Sequence, residues 1–354
     1  MAGIEKEAKD FEIGMYRPPS EGGSSSLLLR VTRNCPWNRC EFCVMYKTEK
    51  FEVRSAEDVK KDIDAVDAIC RGLITLSWKL GHQGDVNREV AIRFLERTPE
   101  FSDRHSFFMV LNWLSSGAKT AFLQDANSLI LKTDHLVEIL QYLRRKFPSL
   151  ERVTSYARSR TLARKPPEDL KNIHEAGLDR LHVGLETGDD ELLSLVRKGC
   201  TAEDHVRGGQ KAVAAGFQLS EYWMPGLGGK EMWENHARNT ARVLNEINPH
   251  YIRSRPFNLP PGTPMAERLQ RGQLTLLSPR EQLLELKLMM ESLTFTSRVC
   301  FDHAGNYWRN KRGGLLFSQS YEGYRFPEQK PHVLDLIEED ISLAQVPPMG
   351  FVMR

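Results

Sequence analysis

Short apolar runs alternate with segments of helical period along most of this chain. Leu27-Leu28-Leu29-Arg30-Val31 reads as a buried strand, and similar runs recur at 120–124, 152–156, 180–185, 218–224 and 251–255. Between them lie amphipathic stretches. One passes through Val59, Ile63, Val66 and Ile69 after Ser55 and Asp58, which resemble a capping box. Another passes through Leu136, Ile139, Leu140 and Leu143. Pro166-Pro167 opens a helix that Gly177 closes, and further helices are predicted from Asp189, from Ala202 to Gly216, and over 231–246.

Strands that alternate with helices imply a parallel sheet covered by helices, the α/β class. Six such units are too few for a closed eightfold barrel, and no GxGxxG follows the first strand. The expectation is a partial (βα)6 TIM-like barrel over 27–264. Residues 75–118 interrupt it as a helical insertion, because that connection is too long for a simple helix-to-strand link. Residues 1–26 read as an N-terminal leader, with Tyr16 and Arg17 in a solvated loop. Residues 265–354 read as an appendage covering the barrel mouth. It holds an amphipathic helix through Leu283, Leu286, Met290 and Leu293, an aromatic and polar patch at 301–308, and a short acidic helix at 333–342.

Composition narrows the function classes. The chain has 354 residues, 40% hydrophobic and 27% charged, the balance of an ordinary globular protein. A net charge of +2 gives no strong field for nucleic acid or an anionic membrane. No run reaches the roughly 18 apolar residues of a membrane-spanning helix, and the polar start is no signal peptide. A cytoplasmic location is therefore expected. Six cysteines in so long a chain do not make a disulfide scaffold, and Cys70, Cys200 and Cys300 stand singly.

The other three are grouped. Cys35, Cys40 and Cys43 fall within nine residues on the loop leaving the first strand. In parallel α/β folds ligands sit at the C-terminal ends of strands, which is where this loop begins. Thiolates are soft ligands for iron–sulfur clusters and zinc, and three of them leave one position open for chemistry.

This stretch resembles the cluster loop of the radical S-adenosylmethionine (radical SAM) superfamily, with four residues and then two between the cysteines, and Phe42 as the aromatic before the last. The more usual first spacing is three. The resemblance implies that Cys35, Cys40 and Cys43 hold a [4Fe-4S] cluster, that SAM takes the fourth iron, and that its reduction yields a 5′-deoxyadenosyl radical. It also implies SAM contacts at the strand ends. Gln124 and Asp125 occupy the place of the family's amine-binding loop, and Ser155 and Arg158 follow the third strand. Glu186 lies in Gly184-Leu185-Glu186-Thr187-Gly188, similar to the family's fourth-strand segment, and Arg197 follows as a carboxylate partner. Met224, Gly226 and Leu227 belong to the glycine turn beside adenine.

Exclusion points to a subclass. The short segment before the cysteines leaves no room for a cobalamin domain, and no second three-cysteine site or acetyltransferase-like segment is seen. What remains is similar to the single-cluster branch that includes oxygen-independent coproporphyrinogen oxidase. The expected partners are a small-molecule substrate and a reductant such as flavodoxin or ferredoxin. His303 is the candidate for substrate contact or proton transfer, within a patch of Asp302, His303, Asn306 and Tyr307. A non-catalytic iron–sulfur carrier or redox sensor, and a zinc loop, are the alternative readings of the same cysteines.

Overall fold

A computed structural model describes residues 10–21, 25–102, 104–310 and 312–342; parts of the expected leader and appendage lie outside these. In chain order the elements are β1 (Ser26–Arg30), β2 (Thr32–Arg33), β3 (Glu52–Val53), α1 (Ala56–Lys79), α2 (Arg88–Arg97), α3 (His105–Ser115), β4 (Thr120–Gln124), α4 (Thr133–Lys146) and β5 (Arg152–Ala157). They continue as α5 (Ser159–Arg164), α6 (Pro167–Glu175), β6 (Arg180–Glu186), α7 (Asp190–Leu195), α8 (Ala202–Ala214), β7 (Gln218–Trp223), α9 (Gly229–Ile247) and β8 (Tyr251–Ser254). The last are α10 (Pro264–Gln270), α11 (Pro279–Ser292), β9 (Arg298–Cys300), β10 (Tyr324–Arg325) and α12 (Lys330–Ile341). The α/β class expected from the sequence is what the chain adopts, with all six expected strands present.

The chain divides into two compact units. The first comprises residues 1–36, 49–157 and 166–181. Here β4 pairs in parallel with β1 on one side and β5 on the other. Leu27, Leu28 and Leu29 are almost wholly buried, each contributing roughly 1.5–3 kcal/mol of transfer free energy. Helix α1 starts at Ser55, whose side chain accepts from the Asp58 backbone at 3.1 Å, as the capping signal predicts. The region read as an insertion holds α2 and α3; Phe94 of α2, Phe107 of α3 and Phe101 between them pack as an aromatic group. Residues 10–21 are bound into this unit rather than solvated. Phe11 is buried, and the Glu12 carboxylate takes ion pairs from Arg30, Arg33 and Arg54.

The second unit comprises residues 37–48, 158–165 and 182–354. Its strands follow the order β7, β8, β9, β10, with β8 parallel to both β7 and β9 and β10 antiparallel to β9. The region read as an appendage thus adds a parallel strand of its own. At three residues β9 was too short to show a period. Helices α9 and α11 pack together in this unit. The capping box Ser278–Glu281 fixes the start of α11.

Candidate functional site

In the first unit, β1 and β4 end in register, Arg30 beside Gln124. Asp125 follows directly. Its Oδ2 accepts from Arg30 Nε at 2.8 Å and from the backbone N–H of Asn34 at 2.8 Å, so it ties the end of β4 to the residue preceding Cys35. Its Oδ1 is buried and has no partner. Gln124 is otherwise engaged: Oε1 accepts from Gly14 N at 2.8 Å, and Nε2 donates to the carbonyls of Gly14 at 3.0 Å and Tyr16 at 2.6 Å. The Ser155 hydroxyl bonds Leu123 O at 3.1 Å and Ser128 Oγ at 2.7 Å. Of the three residues expected here to meet SAM, only Asp125 keeps an open polar atom. Cys35 is half-buried and in no disulfide.

In the second unit, residues 37–48 carry Cys40 and Cys43. The loop is anchored by its backbone and by apolar packing. Glu41 N donates to Val196 O at 2.9 Å, and Glu41 Oε2 accepts from Arg268 Nε at 3.1 Å. Cys40 and Phe42 are buried in a cluster with Leu192, Val196, Met224 and Leu227. Burying Phe42 holds the intervening backbone still, so the two thiols are presented from a fixed loop. Both are outside any disulfide. Among the described residues, no group of three or more His, Cys, Asp or Glu side chains is gathered to hold a metal ion. A cluster does not need that arrangement: each thiolate takes a different iron, so the sulfurs stand farther apart than around one ion.

Glu186 closes β6 with φ at +65°, in the left-handed region that few side chains adopt. Such a conformation is retained where surroundings enforce it, commonly at working sites. The carboxylate is buried, with Oε1 paired to Lys198 Nζ at 2.8 Å and Oε2 without a partner. Burial would push the Lys198 ammonium down, but the adjacent Glu186 carboxylate and nearby thiols outweigh it and hold the lysine above its usual range. Arg197 behaves differently. Its φ is +52°, which turns its side chain to the exposed surface while Lys198 goes inside. The buried basic residue at this site is therefore Lys198, which the sequence reading passed over in favour of its neighbour. Arg158 donates to Lys198 O at 2.7 Å and stacks on Trp37.

The turn after β7 is held from behind. Gly226, at φ +84°, adopts a conformation that suits glycine. Its N–H donates to Glu285 Oε2 at 2.6 Å. His236 reaches the same turn through Nε2 and Met224 O at 3.0 Å, while its Nδ1 meets Thr187 Oγ1 at 2.7 Å. Burial holds His236 down at about 4, so it is neutral at neutral pH. Leu227 and Met224 are buried in the apolar cluster with Phe42.

Burial pushes the Glu285 carboxyl up to about 8, from an ordinary 4.5. The folded state therefore keeps a proton that the unfolded chain loses above about 4.5. The contribution to stability is complete below that pH and declines as pH rises toward about 8. The slope is about 1.4 kcal/mol per pH unit. Glu285→Gln should flatten the decline; urea unfolding at about pH 5 and about pH 7.5 measures it, and equal slopes in the two proteins would refute it.

One further residue was missed, and the residues of the 301–308 patch take other places than expected. Glu221 on β7 is 1% exposed and neither oxygen has a partner. Burial drives its pKa well up, with Lys198 opposing and Glu186 reinforcing, so it stands as a neutral acid. A lone carboxyl on a strand between Leu219 and Tyr222-Trp223 was the signal for it. In the 301–308 patch, Asp302 pairs with Arg253 at 2.8 Å, and Asn306 bonds Ser254 through both ends of its amide. Tyr307 is 51% exposed. His303 is half-buried and accepts from Gly305 N at 3.2 Å; burial and Arg255 hold it down at about 4, a neutral imidazole. The patch follows β9, so it lies at the C-terminal ends of the strands of its unit.

An α/β fold with a thiol-bearing loop after its first strand, and buried carboxylates at later strand ends, is of a class suited to a thiolate-held metallocofactor. The chain belongs to the radical SAM superfamily, whose description is matched by residues 29–238. That superfamily works with a [4Fe-4S] cluster and SAM. Each unit carries donors of the kind these groups take: the Cys35 thiol and the unpartnered Asp125 Oδ1 in the first, the Cys40 and Cys43 thiols and the unpartnered Glu186 Oε2 in the second.

The chain is also similar to tRNA uridine(34) acetyltransferase of Methanocaldococcus jannaschii, at 24% identity over 108 residues, 30% of this chain and 20% of that protein. It thus spans about a fifth of that relative's length. Among solved structures it is similar to the radical SAM methyltransferase TsrM of Kitasatospora setae, at 16% identity and TM-score 0.46, covering 75% of this chain and 44% of that one. Coproporphyrinogen III oxidase (HemN) of Escherichia coli gives 16% identity and TM-score 0.41, covering 58% and 49%. No helix of the described residues is long and apolar enough to cross a membrane.

Proposed function

We propose that this enzyme reductively cleaves SAM at a [4Fe-4S] cluster held by Cys35, Cys40 and Cys43, and uses the resulting radical to abstract hydrogen from a small organic substrate. The observation that carries the reading is the superfamily match, whose span of 29–238 includes all three cysteines and the strand ends from β1 to β7. When bound, the cluster would supply the electron for C–S cleavage, while the residues of this chain bind and orient SAM. Asp125 Oδ1 and Glu186 Oε2, each buried and unpartnered, suit an ammonium or hydroxyl donor of SAM. Lys198, rather than Arg197, suits the carboxylate side, although Arg197 remains the match by sequence position. Phe42, Met224, Gly226 and Leu227 offer an apolar floor and a close backbone approach for adenine. Gln124, Ser155 and Arg158 act through the loops they brace. His303, kept neutral, is the proposed proton acceptor of the 301–308 segment, which shields the substrate radical from water. The single-cluster branch with coproporphyrinogen oxidase-like enzymes remains the preferred subclass, and a flavodoxin or ferredoxin the electron source.

The test is anaerobic reconstitution with iron and sulfide, followed by SAM and dithionite. Methionine and 5′-deoxyadenosine should form together; a brown, iron-loaded protein that forms neither would be a carrier and would end the reading. Glu186→Gln should weaken SAM binding roughly ten- to a hundredfold, from losing about 1.5–3 kcal/mol of charge-assisted bonding, with iron content retained. Unchanged SAM affinity by titration would remove Glu186 from the site.

A further inference from the structure

The second unit also has a cavity at the opposite ends of its strands. Gln218, Tyr251 and Arg298 open the parallel strands β7, β8 and β9, and all three line a space of about 280 Å³ there. The Gly226 turn and the 301–308 segment follow the other ends of these strands. β7 has six residues, which at roughly 3.3 Å each span about 15–20 Å. Two arginines face each other at the cavity. β10 runs antiparallel to β9 with Arg325 directly opposite Arg298, so the two side chains share one face of the sheet, and both line the space. Like charges directly opposite in an antiparallel pair are destabilising. Compensation within the chain is partial. Arg298 donates to Glu322 O at 3.2 Å, while the Glu322 carboxylate stays 3.6 Å away, beyond good hydrogen-bond range. Among the described residues, the Arg325 guanidinium has no carboxylate partner. His250 Nδ1 accepts from Leu219 N at 3.1 Å, so the neutral ring carries its proton on Nε2 and adds a donor to the lining. Glu328 is the one carboxylate among the described lining residues, and it is exposed. Tyr251 and Phe326, both buried, supply apolar surface.

We infer that this cavity is a second ligand site, which takes the carboxylate or phosphate group of a small organic anion between Arg298 and Arg325. A guanidinium is planar and presents paired N–H donors that match two oxygens of such a group. An anion held between the two arginines replaces the repulsion across the β9–β10 pair with two attractions. The space is several times the roughly 30 Å³ of one water, so it has room for a carbon skeleton against Tyr251 and Phe326 as well as for the charged group. Glu328 disfavours a polyanion such as a nucleoside triphosphate, and it suits a ligand whose far end carries hydroxyl groups. The site lies a strand length from the Gly226 turn, and it does not depend on the SAM-cleaving reading.

The experiment titrates phosphoglycolate, which carries both groups, into the full-length protein by calorimetry at low salt. Glycerol phosphate and succinate serve as the phosphate-only and carboxylate-only arms, and the tighter of the two assigns the group that the arginines hold. Arg325 is exposed and bonds Gln329 through its backbone, so Arg325→Gln should leave the fold in place, which an unchanged thermal unfolding midpoint without ligand checks. Arg325→Gln should raise the Kd roughly ten- to a hundredfold, as expected for loss of a charge-assisted hydrogen bond. Arg325→Lys should recover only part of this, because an ammonium keeps the charge and loses the fork. Glu328→Gln should tighten binding by removing a like charge. The ligand should also raise the unfolding midpoint of the native protein more than that of Arg325→Gln. Absence of saturable binding for all three probes would overturn the proposal. So would equal affinity in the native and Arg325→Gln proteins, which would leave the two arginines as solvated charges guarding an edge strand.

Discussion

Replacing Cys35, Cys40 or Cys43 with alanine is expected to abolish 5′-deoxyadenosine formation and to lower bound iron severely. Each thiolate would hold a separate iron, so no other side chain makes up the loss, and a cluster with two protein ligands dissociates in the presence of chelators. Cys300→Ala is the control. Cys300 is fully buried, donates to Tyr321 O at 3.4 Å, and is pushed up to about 12 chiefly by burial, which makes it an inert thiol. Cys70 is likewise buried and pushed up to about 12 by burial. The measurement is iron and sulfide per chain after anaerobic reconstitution, together with product formation. Full iron loading in Cys40→Ala, or loss of iron in Cys300→Ala, would reverse the ligand assignment.

The second large effect is on stability. Arg253 on β8 is 0% exposed, and its guanidinium bonds Asp302 Oδ2 at 2.8 Å, Ser220 Oγ at 3.0 Å and Tyr321 O at 3.2 Å. Asp302→Ala leaves that cation buried without its counter-charge. The expected loss is about 3–5 kcal/mol, because breaking one side of a buried pair exposes the full desolvation cost of the other. Urea unfolding by circular dichroism measures it, and a loss under about 1 kcal/mol would mean that the two hydrogen-bonded oxygens suffice. The double variant Arg253→Met with Asp302→Leu should recover most of the loss, since removing both charges removes the unpaired ion. The same pair anchors the segment bearing His303 to β8, so in Asp302→Ala substrate turnover should fall more than SAM cleavage without substrate.

What the sequence settled by itself is local. The strands at 120–124, 152–156 and 180–185, the helix at 133–146 and the start of α1 follow from apolar period and capping residues, which act over a few positions. The grouping of three cysteines within nine residues is likewise local, being a matter of spacing along the chain. What only the tertiary structure decided depends on pairings far apart in the chain. Gln124 looked like a ligand residue until Gly14 and Tyr16, over a hundred residues earlier, took up its amide. Arg197 and Lys198 are interchangeable by sequence; the left-handed backbone at Arg197 sends one outward and the other to Glu186. Asp302 read as a member of a polar patch, and a buried arginine on another strand gives it a different task. β9 was too short to announce itself and exists because β8 and β10 supply its hydrogen bonds. Periodicity reports which face of an element is buried. It carries no record of which distant group meets a buried polar atom, and here those meetings decide which side chains remain open to a ligand.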